Sequence, residues 1–307
     1  MLKIVGKCIH EETQLRNSVR DGFTSIELQL FSDFLTQTNE EVFKLVTSIE
    51  GLHVSSIHSP LLTDCELEIE DIADSNTRYP LLKTFYLADM LGEHFGMMMP
   101  VVVHATSNIT DLMRKKDTLY TIGREIDIAL QLFPHLEICI ENTIPVISKG
   151  DRYETKNSFL YDTVEICKFL RNHLKTDRIY TVLDTCHALT SIRFMKETQN
   201  YTNMSAVSLE EFFRQNGELT RIIHLNNVID LGLKPGQHSV TFLPNSVDDT
   251  ILLKHITDYI QTYTPQAECV LEVNEEEYLI NSNANKLLLL ESLDKLNVEH
   301  KHLKDIQ

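Results

Sequence analysis

The chain has 307 residues, with 28 Lys plus Arg against 45 Asp plus Glu, a formal net charge of −17 and 42% hydrophobic residues. It contains no run near the roughly 18 apolar residues that a membrane-spanning helix needs. The acidic balance also works against partners built on a phosphate backbone.

From the first residues, Met1-Leu2-Lys3-Ile4-Val5-Gly6 opens like a strand and lacks the long apolar region and cleavage site of a secretory leader, so a cytoplasmic protein is expected. Eight runs rich in β-branched and aliphatic residues follow, at 3–9, 25–30, 53–58, 101–106, 137–142, 180–184, 221–225 and 268–273. Several are almost continuously apolar, as in Val101-Val102-Val103, which is the pattern of strands buried on both faces of a parallel sheet. Helical periodicity predicts helices at 39–50, 81–94, 111–132, 158–174, 209–216, 249–263 and 283–303. In the first of these, Val42, Phe43, Leu45, Val46 and Ile49 share a stripe and Gly51 stands as a C-cap. Pro134 and Pro265 end two others.

Strand–helix alternation repeated in this way predicts an α/β fold, a single-domain (β/α)8 barrel of eight parallel strands spanning residues 1–307. No linker divides the chain. The segments after strands are long at 61–79, 143–157, 188–208 and 226–247, and the segments before strands are short. In a barrel the long loops belong to the catalytic face.

Six strands end in a potential metal ligand: His58, His104, Glu141, Asp184, His224 and Glu272. His187 follows Asp184 by three residues and His238 follows His224 by fourteen. Burying an unpaired carboxylate costs several kcal/mol. Glu141 after Ile138-Cys139-Ile140, Asp184 after Val182-Leu183 and Glu272 after Val270-Leu271 all run against that cost. One strand-end His or Asp is ordinarily a hydrogen-bonded structural residue. Six in phase call for a compensating charge, and a divalent cation is the simplest source. Imidazole-rich ligation favours Zn²⁺ or Mn²⁺, one or two per chain. His53 falls at the opposite barrel end and reads as structural. Cys8, Cys65, Cys139, Cys167, Cys186 and Cys269 form no Cys-x-x-Cys pair, show no activating partner and read as structural thiols.

The set Ile57-His58-Ser59-Pro60, Val103-His104, Ile140-Glu141-Asn142-Thr143, Leu183-Asp184-Thr185-Cys186-His187-Ala188, Ile223-His224-Leu225-Asn226-Asn227 and Leu271-Glu272 resembles the xylose isomerase-like barrel superfamily. That superfamily includes sugar isomerases and epimerases as well as endonuclease IV-type (family 2) apurinic nucleases. The resemblance implies a metal site of Glu141, Asp184, His224 and Glu272. In the nuclease branch, residues matching His58, His104 and Glu141 hold one zinc, and Glu141 bridges to a second. A third zinc there is held by residues matching His187 and His238 with an Asp two positions before the latter, where this chain has Gly236. The DNA-contacting residues of that branch are also missing: Ser59-Pro60-Leu61 follows His58, Phe31-Ser32-Asp33-Phe34 carries no Arg, and Asp64, Glu66, Glu68, Glu70 and Asp71 make the next loop acidic.

The resemblance therefore points first to a sugar or sugar-phosphate isomerase or epimerase working through a metal-stabilised enediolate. In that reading Glu141 and Glu272 are acid/base groups and His187 contacts a substrate hydroxyl. Lys149, Arg152 and Lys156 read as solvated charges, or, for Lys149 and Arg152, as an anchor for a substrate phosphate or carboxylate. The alternatives are an apurinic endonuclease-like zinc phosphodiesterase and a non-catalytic metal-binding barrel. The partner expected is a small sugar or sugar phosphate, with nucleic acid disfavoured and no membrane.

Overall fold

The computed structural model describes residues 2–61, 72, 75–104, 116–142, 146–149, 152–155, 160–198, 208–230, 237–273 and 280–304. The expected barrel is there. Strands β1 (Ile4–Ile9), β2 (Ser25–Phe31), β3 (His53–Leu61), β4 (Met99–Val103), β5 (Leu136–Glu141), β8 (Ile179–Asp184), β9 (Thr220–Leu225) and β10 (Glu268–Leu271) form a closed parallel barrel. Its order is β1-β10-β9-β8-β5-β4-β3-β2, and it closes through the pairs Ile4↔Cys269, Val5↔Val270 and Gly6↔Leu271.

Two cores follow from this closure. Val5, Val102, Cys139, Val182, Ile222 and Val270 form a cluster contributed by six different strands, the apolar plug of the barrel. Outside it, the opposite strand faces pack against the helices α1 (Glu12–Arg20), α2 (Asn39–Thr47), α3 (Arg78–Phe95), α4 (Lys116–Leu132), α5 (Leu160–Leu174), α6 (Thr185–Thr198), α7 (Leu209–Asn216), α8 (Val247–Tyr263) and α9 (Ile280–Lys304). Among the described residues no helix is long and apolar enough to cross a membrane.

Several elements differ from expectation. Helix α1 was not expected, because only Leu15 and Ser18 of its nine residues are buried and the apolar stripe is faint. The stretch from 188, expected to be a loop, continues α6 to Thr198, and its buried face includes the polar Thr190 and Ser191, which hide the period. The segment after β5 contains an antiparallel hairpin, β6 (Val146–Lys149) with β7 (Arg152–Thr155). β3 runs three residues past His58. α2 is capped at Ser48, and Gly51 (φ 79°) serves the turn into β3 instead. The acidic residues 64–71, Lys156 and Gly236 lie outside the described residues.

Gly92 shows how closely α3 packs on the turn before β5. A Cβ there would lie 2.6 Å from His135 Cβ and 2.9 Å from the Met97 carbonyl oxygen. Gly92→Ala is expected to destabilise the barrel by about 1–3 kcal/mol despite the better helix propensity of alanine. Thermal unfolding beside the wild type checks this; an unchanged midpoint would contradict the packing.

Candidate metal centre

The site is the next layer above the apolar plug. Two residues on from Val5, Val102, Cys139, Val182, Ile222 and Val270 come Lys7, His104, Glu141, Asp184, His224 and Glu272. Residues two apart on a strand share a face, so each of these follows a plug residue towards the C-terminal end of the barrel. Glu27 on β2 and His58 on β3 complete the layer.

Glu141 is the hub. Its Oε2 accepts from His58 Nε2 at 3.2 Å and from His104 Nε2 at 3.1 Å, while Oε1 accepts from His224 Nδ1 at 2.9 Å. Ligand atoms of His58, His104 and Glu141 all lie within 4.8 Å of one another, and so do those of Glu141, Asp184, His224 and Glu272. Glu141 therefore belongs to two groups and turns a different oxygen to each.

Asp184 closes β8 and also caps α6. Its Oδ1 accepts from the His187 backbone N–H at 2.7 Å, the third helical position, and its Oδ2 accepts from Asn226 Nδ2 at 2.9 Å. These bonds fix the carboxylate before any ion arrives. Asn142 extends the β5–β8 ladder by accepting from Asp184 N and donating to Asp184 O.

The donor set fits a divalent cation. Glu272 Oε2 sits 2.7 Å from His224 Nδ1, yet it is buried with no hydrogen-bond partner. His58 Nδ1 lies 3.0 Å from the Ser59 carbonyl, and its Nε2 faces Glu141 Oε2 at 3.2 Å. Carboxylate oxygens and imidazole nitrogens converging in this way are donors for a divalent cation.

Two members of the layer escaped the sequence reading. Lys7 Nζ lies 2.7 Å from Glu272 Oε1 and 3.2 Å from Glu27 Oε1. Glu27 in turn accepts from His224 Nε2 at 3.2 Å and from Ser56 Oγ at 2.9 Å. Burial opposes each of these charges, and the neighbours outweigh it. The carboxylates of Glu272, Glu27 and Glu141 raise the Lys7 ammonium above its ordinary value. His224 and Lys7 hold Glu27 down at about 2. His224 and the hydrogen bonds of the other imidazoles hold Glu141 well below the usual carboxylate range, and Lys7 with His224 does the same for Glu272. His224, between Glu27, Glu272 and Glu141, is raised well above its ordinary value.

His187 and His238 meet at the edge of the centre, stacked with their Nε2 atoms 3.3 Å apart. His187 Nδ1 donates to the Asn142 carbonyl. Among the described residues no further ligand joins this pair as a third metal group. Cys186 Sγ lies 2.9 Å from His238 Nδ1, a partner not foreseen for any cysteine, but burial and the Asp184 charge push the thiol up, so it remains unreactive. Lys149 and Arg152 are paired in the backbone register of β6 and β7. His53 packs edge-on against Phe95 at the other barrel end, as a structural residue.

No protein-family model matches the sequence, and no curated protein does either. Solved structures do match it. An L-ribulose 3-epimerase superposes with a TM-score of 0.64 at 12% identity, covering 98% of this chain and 97% of its own. A xylose isomerase-like TIM barrel protein from Mycobacterium smegmatis in complex with magnesium gives 0.55 at 14%, covering 95% and 97%. The shared fold is the (β/α)8 barrel. An AP endonuclease of family 2 from Brucella melitensis shares this fold, with a TM-score of 0.58 at 11% identity over 91% of this chain and 97% of its own.

Proposed function

We propose that the chain is a divalent-metal-dependent isomerase or epimerase of a sugar or sugar phosphate, moving a proton at the carbon beside a carbonyl. The observation that carries this reading is the placement of two carboxylates, Glu141 and Glu272, in one ligand group with Asp184 and His224. Held there, a divalent ion would supply a Lewis acid for the carbonyl and its neighbouring hydroxyl. Glu272 is the proton acceptor: its side chain is 22% exposed, against 2% or less for Glu141, Asp184 and His224. Glu141, the second glutamate of the group, is assigned the return of the proton. His187, with Nδ1 fixed on the Asn142 carbonyl, would exchange the 3.3 Å contact of its Nε2 with His238 for a substrate hydroxyl. The hairpin residues Lys149 and Arg152 serve as an anchor for an anionic substrate group. The likeness to an L-ribulose 3-epimerase over nearly the whole chain supports this choice of reaction.

The test is solvent exchange. Metal-loaded protein in deuterated water is expected to place deuterium at the carbon next to the carbonyl of a ketose or ketose phosphate. No incorporation across a panel of pentuloses and hexuloses, free and phosphorylated, would sink the proposal.

One observation favours a second reading. Glu141 divides its two oxygens between two ligand groups, as a carboxylate shared by two ions would, and two metals suit phosphoryl transfer. The likeness to a family 2 AP endonuclease supports it. Against it, Phe34 is fully buried behind β2 and offers nothing to a DNA groove. Two ions per chain together with incision of an abasic duplex at low salt would exchange the two readings.

A further inference from the structure

Lys7, Glu27, His224 and Glu272 form a closed ring around one side of the metal centre. Lys7 Nζ meets Glu27 at 3.2 Å, Glu27 meets His224 Nε2 at 3.1 Å, Glu272 Oε2 lies 2.7 Å from His224 Nδ1, and Glu272 Oε1 returns to Lys7 at 2.7 Å. The ring is a consequence of register. Lys7 pairs with Glu27 across β1–β2, and Gly6↔Leu271 sets Lys7 beside Glu272 across the closing pair. Glu27 and His224 are completely buried, and the Lys7 side chain is only 12% exposed.

A lysine and a glutamate placed this deep have no role as exposed charges, and as an isolated pair they would add little stability. They do, however, settle two choices that the ligands leave open. An imidazole can offer either nitrogen to an ion, and Glu27 occupies Nε2, leaving Nδ1 to the centre. A carboxylate can offer either oxygen, and Lys7 takes Oε1 of Glu272, leaving Oε2, the atom that is buried without a hydrogen-bond partner. Each ring member outside the ligand set thus fixes the donor atom of one inside it. Carboxylate partners of this kind orient metal-bound histidines generally.

We propose that Lys7 and Glu27 are positioning residues of the metal centre, selecting His224 Nδ1 and Glu272 Oε2 as its donor atoms. The proposal rests on the metal-centre reading above. Its specific addition is that a cation from β1 sets the geometry of a ligand on β10.

The test compares Zn²⁺ affinity and the visible absorption of the Co²⁺-loaded protein for the wild type, Lys7→Met, Glu27→Gln and the double variant Lys7→Met/Glu27→Gln. The double variant removes both charges together, so it avoids stranding one of them if a single variant folds poorly. Each is expected to bind Zn²⁺ about 10–100-fold more weakly, the cost usual for losing an outer partner of a ligand. The Co²⁺ bands are expected to shift, because donor orientation changes and a purely structural residue would not alter them. Lys286→Met provides a control, since that lysine donates to the Gly22 carbonyl and not to a member of the ring, and it is expected to keep wild-type affinity and spectrum. Wild-type affinity and spectrum in a folded double variant would overturn the positioning role while leaving the metal centre standing. A wild type that takes up neither Zn²⁺ nor Co²⁺ would overturn both.

Discussion

Glu272→Gln is expected to slow solvent deuterium exchange into a ketose substrate by about 10²–10⁴-fold, the usual contribution of a positioned general base. The change keeps the shape of the side chain and removes its ability to hold a proton. Its effect on the surroundings follows from the ring. Lys7 Nζ is 2.7 Å from Oε1, so the amide oxygen must take that side, because the alternative sets an NH₂ group against an ammonium. The NH₂ then faces His224 Nδ1 and the ion position, where neither accepts a hydrogen. Metal affinity therefore falls along with the rate, and the comparison has to be made at saturating metal. A loss that disappears at saturation would make Glu272 a ligand alone. An unchanged rate at every metal concentration would remove it from the mechanism.

Glu141→Ala is expected to empty the centre more completely than any other single substitution. Glu141 is the one residue common to both ligand groups, and its two oxygens contact His58, His104 and His224. The loss in Zn²⁺ affinity should exceed the roughly 100-fold upper figure for outer partners, because a bond to the ion is lost rather than its orientation. His58→Ala touches only one group and is expected to spare the Glu141–Asp184–His224–Glu272 group. Zinc content after dialysis against a fixed free-zinc buffer separates the two variants. Equal zinc retention in both would mean that Glu141 is not shared between the two groups. Retention at the wild-type level by Glu141→Ala would refute the assignment of Glu141 as a ligand.

The eight strands were legible because each is a short run rich in β-branched and aliphatic residues, and several, such as Val101-Val102-Val103, are unbroken, as burial on both faces of a parallel sheet demands. The candidate ligands stood out by contrast, since Glu141 follows Ile138-Cys139-Ile140 and Asp184 follows Val182-Leu183. The same contrast exists at Glu27 between Ile26 and Leu28, and at Lys7 between Gly6 and Cys8. These two are read only once the strands are aligned. Lys7 is two residues beyond the plug residue Val5, as His224 is beyond Ile222, but a plug cannot be named before register is known. The charges of Lys7 and Glu27 answer each other across strands twenty residues apart, and nothing local marks them as a pair. Helix α6 was missed for a related reason: its start at Thr185 is set by Asp184, whose carboxylate looked like a ligand and is a helix cap as well.

The pair Lys7–Glu272 joins the first strand of the barrel to the last. During synthesis, the ligands on β3, β4, β5 and β8 leave the ribosome well before Glu272 does, so a growing chain can gather imidazoles and carboxylates without completing the four-ligand group. Contacts separated by some 265 residues in sequence are the slow ones to form. Under the proposed ligand set, high-affinity loading would be a late event of biogenesis, and an ion held with full affinity would certify that the first and last strands have met.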